Sequence, residues 1–394
     1  MAVRRLTFQD LMTFYSGAVS APFLPLAEFV QVRKDVGSIE TALGEWTYNR
    51  IYGPKVWAQL NLEANWFSIL PKITWPRGGW RIIKEFSTTY DTTAISETGT
   101  LPSPTRPEFE IAQTRPKVAV ETFEVSEVLE RLAELGVEDV FGSVDQLRTW
   151  YGLEFVKNVN RMIARKVIAN GSVTETSSGN KFESIDRIVS GYDETSLCGT
   201  GNESAVDVYG LDRHSAASNL DAYVNHNSGT LRDLTADIIR TSLANVRKRG
   251  GNTNVIVTGY DTYAKIQGIF ENQARYLPGW GETTIQVGIQ GVKTALGAGV
   301  GIKVASIYGI PLIQAVDTPD DGSGSIQRIY LLDTTDPEGN GVGRLNFAMA
   351  MPPSYVEGRN PLYLNKFVIK GAYAMMGDVV AYHLHGQGKI RDLQ

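Results

Sequence analysis

Apolar and polar positions alternate most clearly in the segment Trp75–Val125. Within it, the extended stretch Trp80–Tyr90 leads into residues 97–107, which are rich in Gly, Pro, Ser and Thr and are expected to turn the chain. The return stretch 109–125 alternates in the same way but shifts phase at Arg115-Pro116. This pattern predicts a β-hairpin with arms of ten residues or more, each about 30 Å long at ~3.3 Å per residue.

A two-stranded ribbon of this length is marginal in water, and its edges favour pairing with another chain. The sequence offers no adjacent helical segment that would cover its whole length, so a second copy of the chain is the expected partner. We expect the subunit interface to include the hairpin residues Trp80, Ile82, Lys84, Phe86, Tyr90, Phe109, Ile111, Val118 and Val120.

The clearest helical pattern covers residues 143–170. Apolar side chains recur there at spacings of three and four and form one stripe, which predicts a rod of roughly 40 Å at 1.5 Å per residue. Ser143 and Gln146 form a capping-box pair at its start, and Asn170-Gly171 ends it. The opposite face is basic and is either a solvated face, which is the commoner case, or a DNA-contacting surface. Its residues are Arg148, Lys157, Arg161, Arg165 and Lys166.

Beyond residue 229, helices separated by short apolar strands indicate an α/β domain with a central sheet. Thr230 is the expected cap of the first helix, and Gly250-Gly251 is its expected end. The polar segment 172–228 is expected to form loops around short strands, whereas residues 1–65 fit either an arm lying over other surfaces or the first layer of a domain. The later expected elements are the strand Asn254–Thr258, the helix Tyr260–Phe270, and the strands Lys303–Ser306, Leu312–Val316, Arg328–Leu332, Leu345–Met351 and Tyr363–His385.

Composition narrows the class of protein. The chain has 394 residues, of which 42% are hydrophobic and 21% charged, as is typical of soluble globular proteins. Its net charge of −5 argues against a protein whose main role is to grip phosphate backbones. Cys198 is the only cysteine, so no intramolecular disulfide can form, and without a recognisable signal peptide we expect an intracellular, soluble protein.

No group of residues matches the pattern of a catalytic, cofactor or metal site. The glycines of 281–301 do not follow the strand, GxGxxG and helix order, and those of 339–343 lie beside acidic residues that would repel phosphate. His383 and His385 are expected to be ordinary sheet-surface histidines, and Cys198 a buried or loop thiol. We therefore expect no enzyme, no cofactor and no metal, although an α/β enzyme with an unrecognised site in 230–333 stays open.

The order of these segments resembles the major capsid proteins of tailed double-stranded DNA viruses, the Hong Kong ninety-seven fold. The resemblance covers roughly residues 66–385 and rests on the order of individually weak motifs. These are Trp66–Lys72 before a hairpin with Glu97-Thr-Gly99 in its tip, Thr122–Leu132 before the long helix, the strand Asn254–Thr258 between two helices, and the turn Tyr308–Leu312 followed by Asp317.

The resemblance implies an α+β fold in five parts. These are an N-terminal arm at 1–65, an extended β-hairpin (E-loop) and its base at 66–125, a peripheral domain with its spine helix at 126–228, an α/β axial domain at 229–343, and return strands of the peripheral domain at 344–394.

The same resemblance implies a structural subunit that forms homo-hexamers and homo-pentamers of an icosahedral shell around viral double-stranded DNA. Its partners would be further copies of itself, separate scaffolding, portal and decoration proteins, and packaged DNA held by non-specific contact, with no membrane. The protein would reside in the virion capsid after assembly in the host cytoplasm. An encapsulin-type compartment with the same fold is the alternative.

Overall fold

The computed structural model describes residues 65–76, 78–85, 96–100, 108–134, 144–215, 218–274, 305–339, 341–358 and 366–394. The predictions for residues 1–64 and for the glycine-rich segment 281–301 lie outside these ranges. The helices are α1 (Asn65–Ile69), α2 (Glu127–Glu134), α3 (Val144–Ala164), α4 (Ile185–Ile188), α5 (Ala236–Lys248) and α6 (Tyr260–Ala274).

The strands confirm the predicted mixture of sheets and helices. They are β1 (Lys72–Thr74), β2 (Gly79–Glu85), β3 (Glu108–Gln113), β4 (Lys117–Ser126), β5 (Ile168–Ala169), β6 (Ser172–Val173), β7 (Tyr223–Asn225), β8 (Val255–Thr258), β9 (Ala305–Ile307), β10 (Ile310–Gln314), β11 (Ile329–Leu332), β12 (Leu345–Gly358), β13 (Val368–Ala381) and β14 (Gly388–Ile390).

The chain divides into two compact units. One contains Phe123–Arg148 and Glu357–Gly371. In this smaller unit Gly371 is required by a close approach, because a Cβ there would lie 2.3 Å from the Phe123 ring. The larger unit contains Gln59–Thr122, Thr149–Val356 and Ala372–Gln394, and it holds the two main hydrophobic clusters.

A six-stranded sheet with the order β7-β14-β11-β8-β10-β9 separates these two clusters. Its central strand β8 runs parallel to β10 and antiparallel to β11. Val255 and Val257 pack into one cluster, while Ile256 between them packs into the other. Successive side chains of a strand point to opposite faces, so the uninterrupted apolar run of β8 reflects burial on both sides.

Helix α5 begins later than the sequence predicted. Its cap is Thr235, whose Oγ1 accepts a hydrogen bond from the Ile238 backbone N–H, and not Thr230. The chain before it is occupied elsewhere, because Arg232 forms a bridge with Leu393 and donates to the Asn225 backbone carbonyl at 2.9 Å. Arg232 is therefore held in an isolated β-bridge before the helix begins.

The long helix α3 ends six residues before the predicted Asn170, so its 21 residues span about 32 Å and not 40 Å. The cause is a tertiary contact. The Asp186 carboxylate accepts hydrogen bonds from the backbone N–H groups of Val167 (2.8 Å) and Ile168 (3.1 Å). Ile168–Ala169 then pairs with Ser172–Val173 as a short β-hairpin.

Segment 172–228 consists, as expected, mostly of loops around the short strands β6 and β7, and side chains such as Phe182, Ile188 and Leu211 lie in the main hydrophobic cluster. One further expectation was wrong. Strand β13 ends at Ala381 and not at His385. Among the described residues, no helix has the length and apolar character needed to cross a membrane.

Candidate assembly surface

The described part of the predicted hairpin is a two-faced ribbon. β2 and β3 pair antiparallel, with Trp80 opposite Ala112 and Ile83 opposite Phe109. Because side chains alternate along each strand, every second position points to the same side. Trp80 and the fully buried Ala112 point into the subunit, whereas Phe109 and Ile111 point outward. The inner face therefore belongs to the fold, and the outer face is available to a partner.

Exposed apolar side chains lie on the outer side of β3 and on β4. We call Phe109, Ile111, Val118 and Val120 the outer apolar surface; their exposed fractions are 57%, 58%, 50% and 55%. Ala119, between the two valines, is buried. The phase shift at Arg115-Pro116, which the sequence predicted, separates β3 from β4 and leaves apolar side chains outward on both strands.

The remaining predicted interface residues have other surroundings. Trp80 packs against the rings of Tyr209 and Tyr382 of its own subunit, and Ile82 is buried beside it. Lys84 forms an ion pair with Glu110 across the ribbon at 2.8 Å, and this bond raises the pKa of the lysine. Phe86 and Tyr90 lie outside the described residues.

Six charged side chains, which we call the charge ring, form a closed loop of ion pairs in the larger unit. Each is fully buried, with no side-chain surface exposed. They come from α4, the segments around 194 and 321, the residue before β11, strand β14 and the residue after β14. The members are Asp186, Glu194, Asp321, Arg328, Lys389 and Arg391.

Acids and bases alternate around the charge ring. Arg328 bridges Asp186 at 2.7 Å and Asp321 at 2.6 Å. Arg391 bridges Asp321 at 2.9 Å and Glu194 at 2.7 Å. Each arginine therefore bridges two acidic members of the charge ring, and such pairing offsets the cost of burying charge.

Lys389 closes the loop between Glu194 at 2.7 Å and Asp186 at 2.9 Å. Burial alone would raise the pKa of Asp186, but Arg328, Lys389 and the Val167 N–H together hold that pKa well below its usual range. The pKa of Glu194 is also lowered, because the positive charges of Lys389 and Arg391 outweigh the effect of burial. The carboxylates thus stay ionised inside the protein.

The sequence did not predict the charge ring. A local signal exists in the last strand, where the charged Lys389 lies between Gly388 and Ile390 and all three residues are buried. A charged residue at a strand position that faces the hydrophobic core indicates a buried partner of opposite charge. The identity of that partner depends on segments far away in the chain, such as Asp186, and does not follow from the local pattern.

Only part of the predicted basic face of α3 is exposed to solvent. Lys157 is buried, with 6% exposed, so the expectation that it faces solvent or DNA was wrong. Arg165 pairs with Glu175 at 2.5 Å and is mostly covered. Arg148 is exposed, and Arg161 is 52% exposed with Asp317 at 3.5 Å.

Lys166, the last member of the predicted basic face, lies just beyond the end of α3. Its Nζ is 3.2 Å from the Asp320 carboxylate and 2.9 Å from the Asp320 carbonyl. Its charge is therefore balanced within the subunit, which leaves Arg148 and Arg161 as the more exposed cations of this set.

Within the described part of the chain, one group of side chains has metal-ligand character, namely Asp207, Asp212 and His214, whose ligand atoms lie within 4.8 Å of one another. His214 Nδ1 lies 2.8 Å from Asp207 and 3.1 Å from Asp212. The hydrogen bond to Asp207 raises the pKa of His214. The geometry therefore fits an ion-paired histidine.

Other residues with potential chemistry serve structural roles. Backbone N–H groups of Gly339 (2.8 Å) and Gly341 (2.5 Å) donate to the Asp336 carboxylate, so these two amides are satisfied within the loop. His383 and His385 are half-buried beyond the end of β13 and not on a sheet surface, and burial lowers the pKa of both. Burial raises the pKa of the Cys198 thiol to about 12, as expected for a structural cysteine.

No family model and no curated protein matches the sequence. Similarity exists at the level of three-dimensional structure. A chain of the cyanophage A-1(L) capsid asymmetric unit superposes with a TM-score of 0.59 at 13% sequence identity, covering 86% of this chain and 95% of that one. The predicted resemblance is confirmed at the level of the fold: the chain has the Hong Kong ninety-seven-like fold of phage capsid proteins.

Two other solved structures show a weaker likeness. The encapsulin of the holo-SrpI complex from Synechococcus elongatus PCC 7942 has a TM-score of 0.48 at 10% identity, with coverage of 88% and 95%. The capsid of a native GTA particle has a TM-score of 0.48 at 12% identity, with coverage of 86% and 97%.

Proposed function

We propose that this chain is a structural capsid subunit that assembles with copies of itself into a closed shell. The observation that carries the proposal is the fold shared with a cyanophage capsid chain over 86% of this chain. In finer detail, we propose homo-hexamers and homo-pentamers in an icosahedral shell that encloses viral double-stranded DNA. The protein would act without catalysis, assemble in the host cytoplasm and reside in the virion.

The outer apolar surface supports the proposed contact with a neighbouring subunit. Full burial of an apolar side chain contributes roughly 1.5–3 kcal/mol. Because Phe109, Ile111, Val118 and Val120 are each about half exposed, covering them contributes about 1 kcal/mol apiece. A closed shell repeats this contact in every subunit, so modest individual interfaces suffice to hold it together.

Contact with packaged DNA would be weak and non-specific. The net charge of −5 supports this, since strong non-specific binding to phosphates requires a basic excess. Arg148 and Arg161 are the residues that we propose for it, each as a single exposed cation. Separate scaffolding, portal and decoration proteins complete the proposed set of partners.

Electron microscopy and sedimentation velocity of the expressed protein test the proposal. We expect closed particles that sediment far faster than the 43.3 kDa subunit. Deletion of residues 87–107, in the predicted hairpin, should leave a folded subunit that no longer closes shells. A wild-type protein that stays monomeric under all assembly conditions would refute the proposal and revive the α/β enzyme alternative.

The contents of the particles separate the two kinds of shell. Nuclease-resistant double-stranded DNA inside particles made during infection supports the viral capsid. Particles that enclose a cargo protein and no DNA would instead support an encapsulin-type compartment.

A further inference from the structure

We propose that the orientation of the hairpin is set inside the single subunit by an anchor at its base, formed by Trp80, Tyr209, Tyr382 and Asp378. The hairpin would then reach a neighbouring subunit already aligned, and not be ordered by that contact. This inference rests on the proposed assembly function and assigns the anchor residues a positioning role within it.

The aromatic part of the anchor holds strand β2. The Trp80 ring meets Tyr209 at 5.0 Å between centroids and 65° between planes, and it meets Tyr382 at 5.4 Å and 68°. These edge-to-face contacts are geometrically specific. The Trp80 indole N–H is buried and has no acceptor among the described residues. Packing and not hydrogen bonding therefore fixes this side chain, so phenylalanine is a conservative replacement.

Tyr209, which contacts Trp80 of β2, also binds strand β3. Its backbone lies in the left-handed region with φ of 56°, which is unfavourable for a residue with a side chain. Its carbonyl accepts a hydrogen bond from the Gln113 N–H at 2.8 Å, and its hydroxyl donates to the Val379 carbonyl at 2.8 Å. Strain of this kind persists only where the surrounding contacts fix the conformation. Here those contacts join β3 to β13.

Asp378 fixes the break between β3 and β4. Its Oδ2 accepts from the Thr114 hydroxyl at 2.7 Å and pairs with Lys117 at 2.9 Å, while its Oδ1 accepts from the Glu183 N–H at 2.6 Å. The carboxylate is fully buried. The Thr114 N–H also donates to the Gly78 carbonyl at 3.1 Å, which closes the base of the ribbon.

Anchoring at both strands has a thermodynamic consequence for assembly. A segment that is ordered before it binds loses less conformational entropy on binding, so its affinity for a given contact area is higher. Trp80 and the exposed Phe109 and Ile111 lie on opposite sides of the ribbon, so they can be changed independently.

Distance measurements between two spin labels test the anchor in the unassembled, full-length subunit. Labels on Glu108→Cys in the hairpin and Arg240→Cys on α5 report the orientation of the ribbon. The native Cys198 is buried and does not compete for the label. We expect a narrow distance distribution in the otherwise wild-type chain, at least a twofold broadening with Trp80→Ala, and recovery with Trp80→Phe. An unbroadened distribution in Trp80→Ala would overturn the proposal.

Assembly assays then separate this inference from the proposed function. Phe109→Ser, on the outer side, should weaken assembly at least tenfold while the distance distribution stays narrow. If Phe109→Ser assembles normally, the proposed contact of the hairpin with a neighbouring subunit is wrong. The spin-label distances still test the anchor in that case. If Trp80→Ala broadens the distribution but assembles like wild type, the positioning role is wrong. Should Trp80→Ala fail to fold, Tyr209→Phe and Thr114→Val decide by the same measurement, each expected to broaden the distribution.

Discussion

Replacing Arg328 with methionine removes one member of the charge ring while keeping a side chain of similar length. The guanidinium lies 2.7 Å from Asp186 and 2.6 Å from Asp321, and all three side chains are fully buried. After the change each carboxylate keeps a single cationic partner, since Lys389 remains beside Asp186 and Arg391 beside Asp321. One negative charge in the ring is then uncompensated.

The expected loss of stability follows from the carboxylate that is left without a full set of cationic partners. Removing one partner of a buried ion pair typically destabilises a protein by about 3–5 kcal/mol. Unfolding entropy is roughly 2.1 cal/mol/K per residue, which for 394 residues gives about 0.8 kcal/mol/K. Arg328→Met should therefore lower the Tm by about 4–6 °C.

Thermal unfolding of the unassembled subunit, followed by circular dichroism, measures this change. Arg240→Met is the matched control, because Arg240 forms its pair with Asp237 on an exposed helix surface with 72% and 70% of the two side chains accessible. Exposed pairs contribute little, so the control should shift the Tm by about 1 °C or less. If Arg328→Met behaves like the control, the charge ring does not exist as described.

Three further predictions concern other parts of the account. The pKa values of Asp186, Glu194 and Asp321 are lower in the folded protein than the ordinary values of 3.8 for Asp and 4.5 for Glu. The ionised carboxylates therefore stabilise the fold fully above about pH 4.5, and this stabilisation is lost as the pH falls through the lower folded-state pKa values. The Tm should hold between pH 7 and 5 and drop steeply below about pH 4, and a Tm that rises between pH 5 and 3 would contradict this. Cys198, with its thiol pKa raised to about 12, should not react with a thiol reagent at pH 8 until the protein is unfolded, whereas rapid reaction of the native protein would show that it is accessible. Phe109→Asp with Ile111→Asp should leave the subunit Tm unchanged within about 1 °C, since both side chains are more than half exposed, yet abolish shells in sedimentation velocity. The apolar control Phe109→Leu with Ile111→Val should assemble, and normal assembly of the charged variant would refute the interface.

Elements with a strong local pattern could be predicted from the sequence. The paired strands β2 and β3, the break at Arg115-Pro116 and the strands β8 and β11 appear where expected. The return arm of the hairpin is shorter than predicted, because β4 pairs with β13 in a separate sheet. The apolar run of β8 predicted a buried strand because a strand covered on both faces needs no polar position. The order of such segments was also sufficient to identify the fold.

Features that depend on distant contacts could not be predicted. The apolar stripe of α3 continues to Val167, but the helix stops at Ala164 because Asp186, many residues later, captures the next backbone N–H groups. The same carboxylate joins the charge ring through Lys389, 203 residues away in sequence. No local period encodes contacts of this kind.

The hairpin shows a second kind of limit. Alternation identifies two faces but does not say which one packs on the subunit, and both faces here carry apolar residues. The structure assigns Trp80 to the inside and Phe109 to the outside. Five of the nine predicted interface residues therefore serve the fold or lie outside the described residues, while the outer apolar surface remains the proposed contact.

A cryo-electron microscopy map of the assembled particle tests the central claim most directly. The quantity to measure is the exposure of Phe109 and Ile111, which is 57% and 58% in the single subunit. We predict that a neighbouring copy covers both side chains, while Trp80 keeps its contacts with Tyr209 and Tyr382 in its own subunit. A shell in which the outer apolar surface still faces solvent, or in which Trp80 has left its own subunit for a neighbour, would contradict the account.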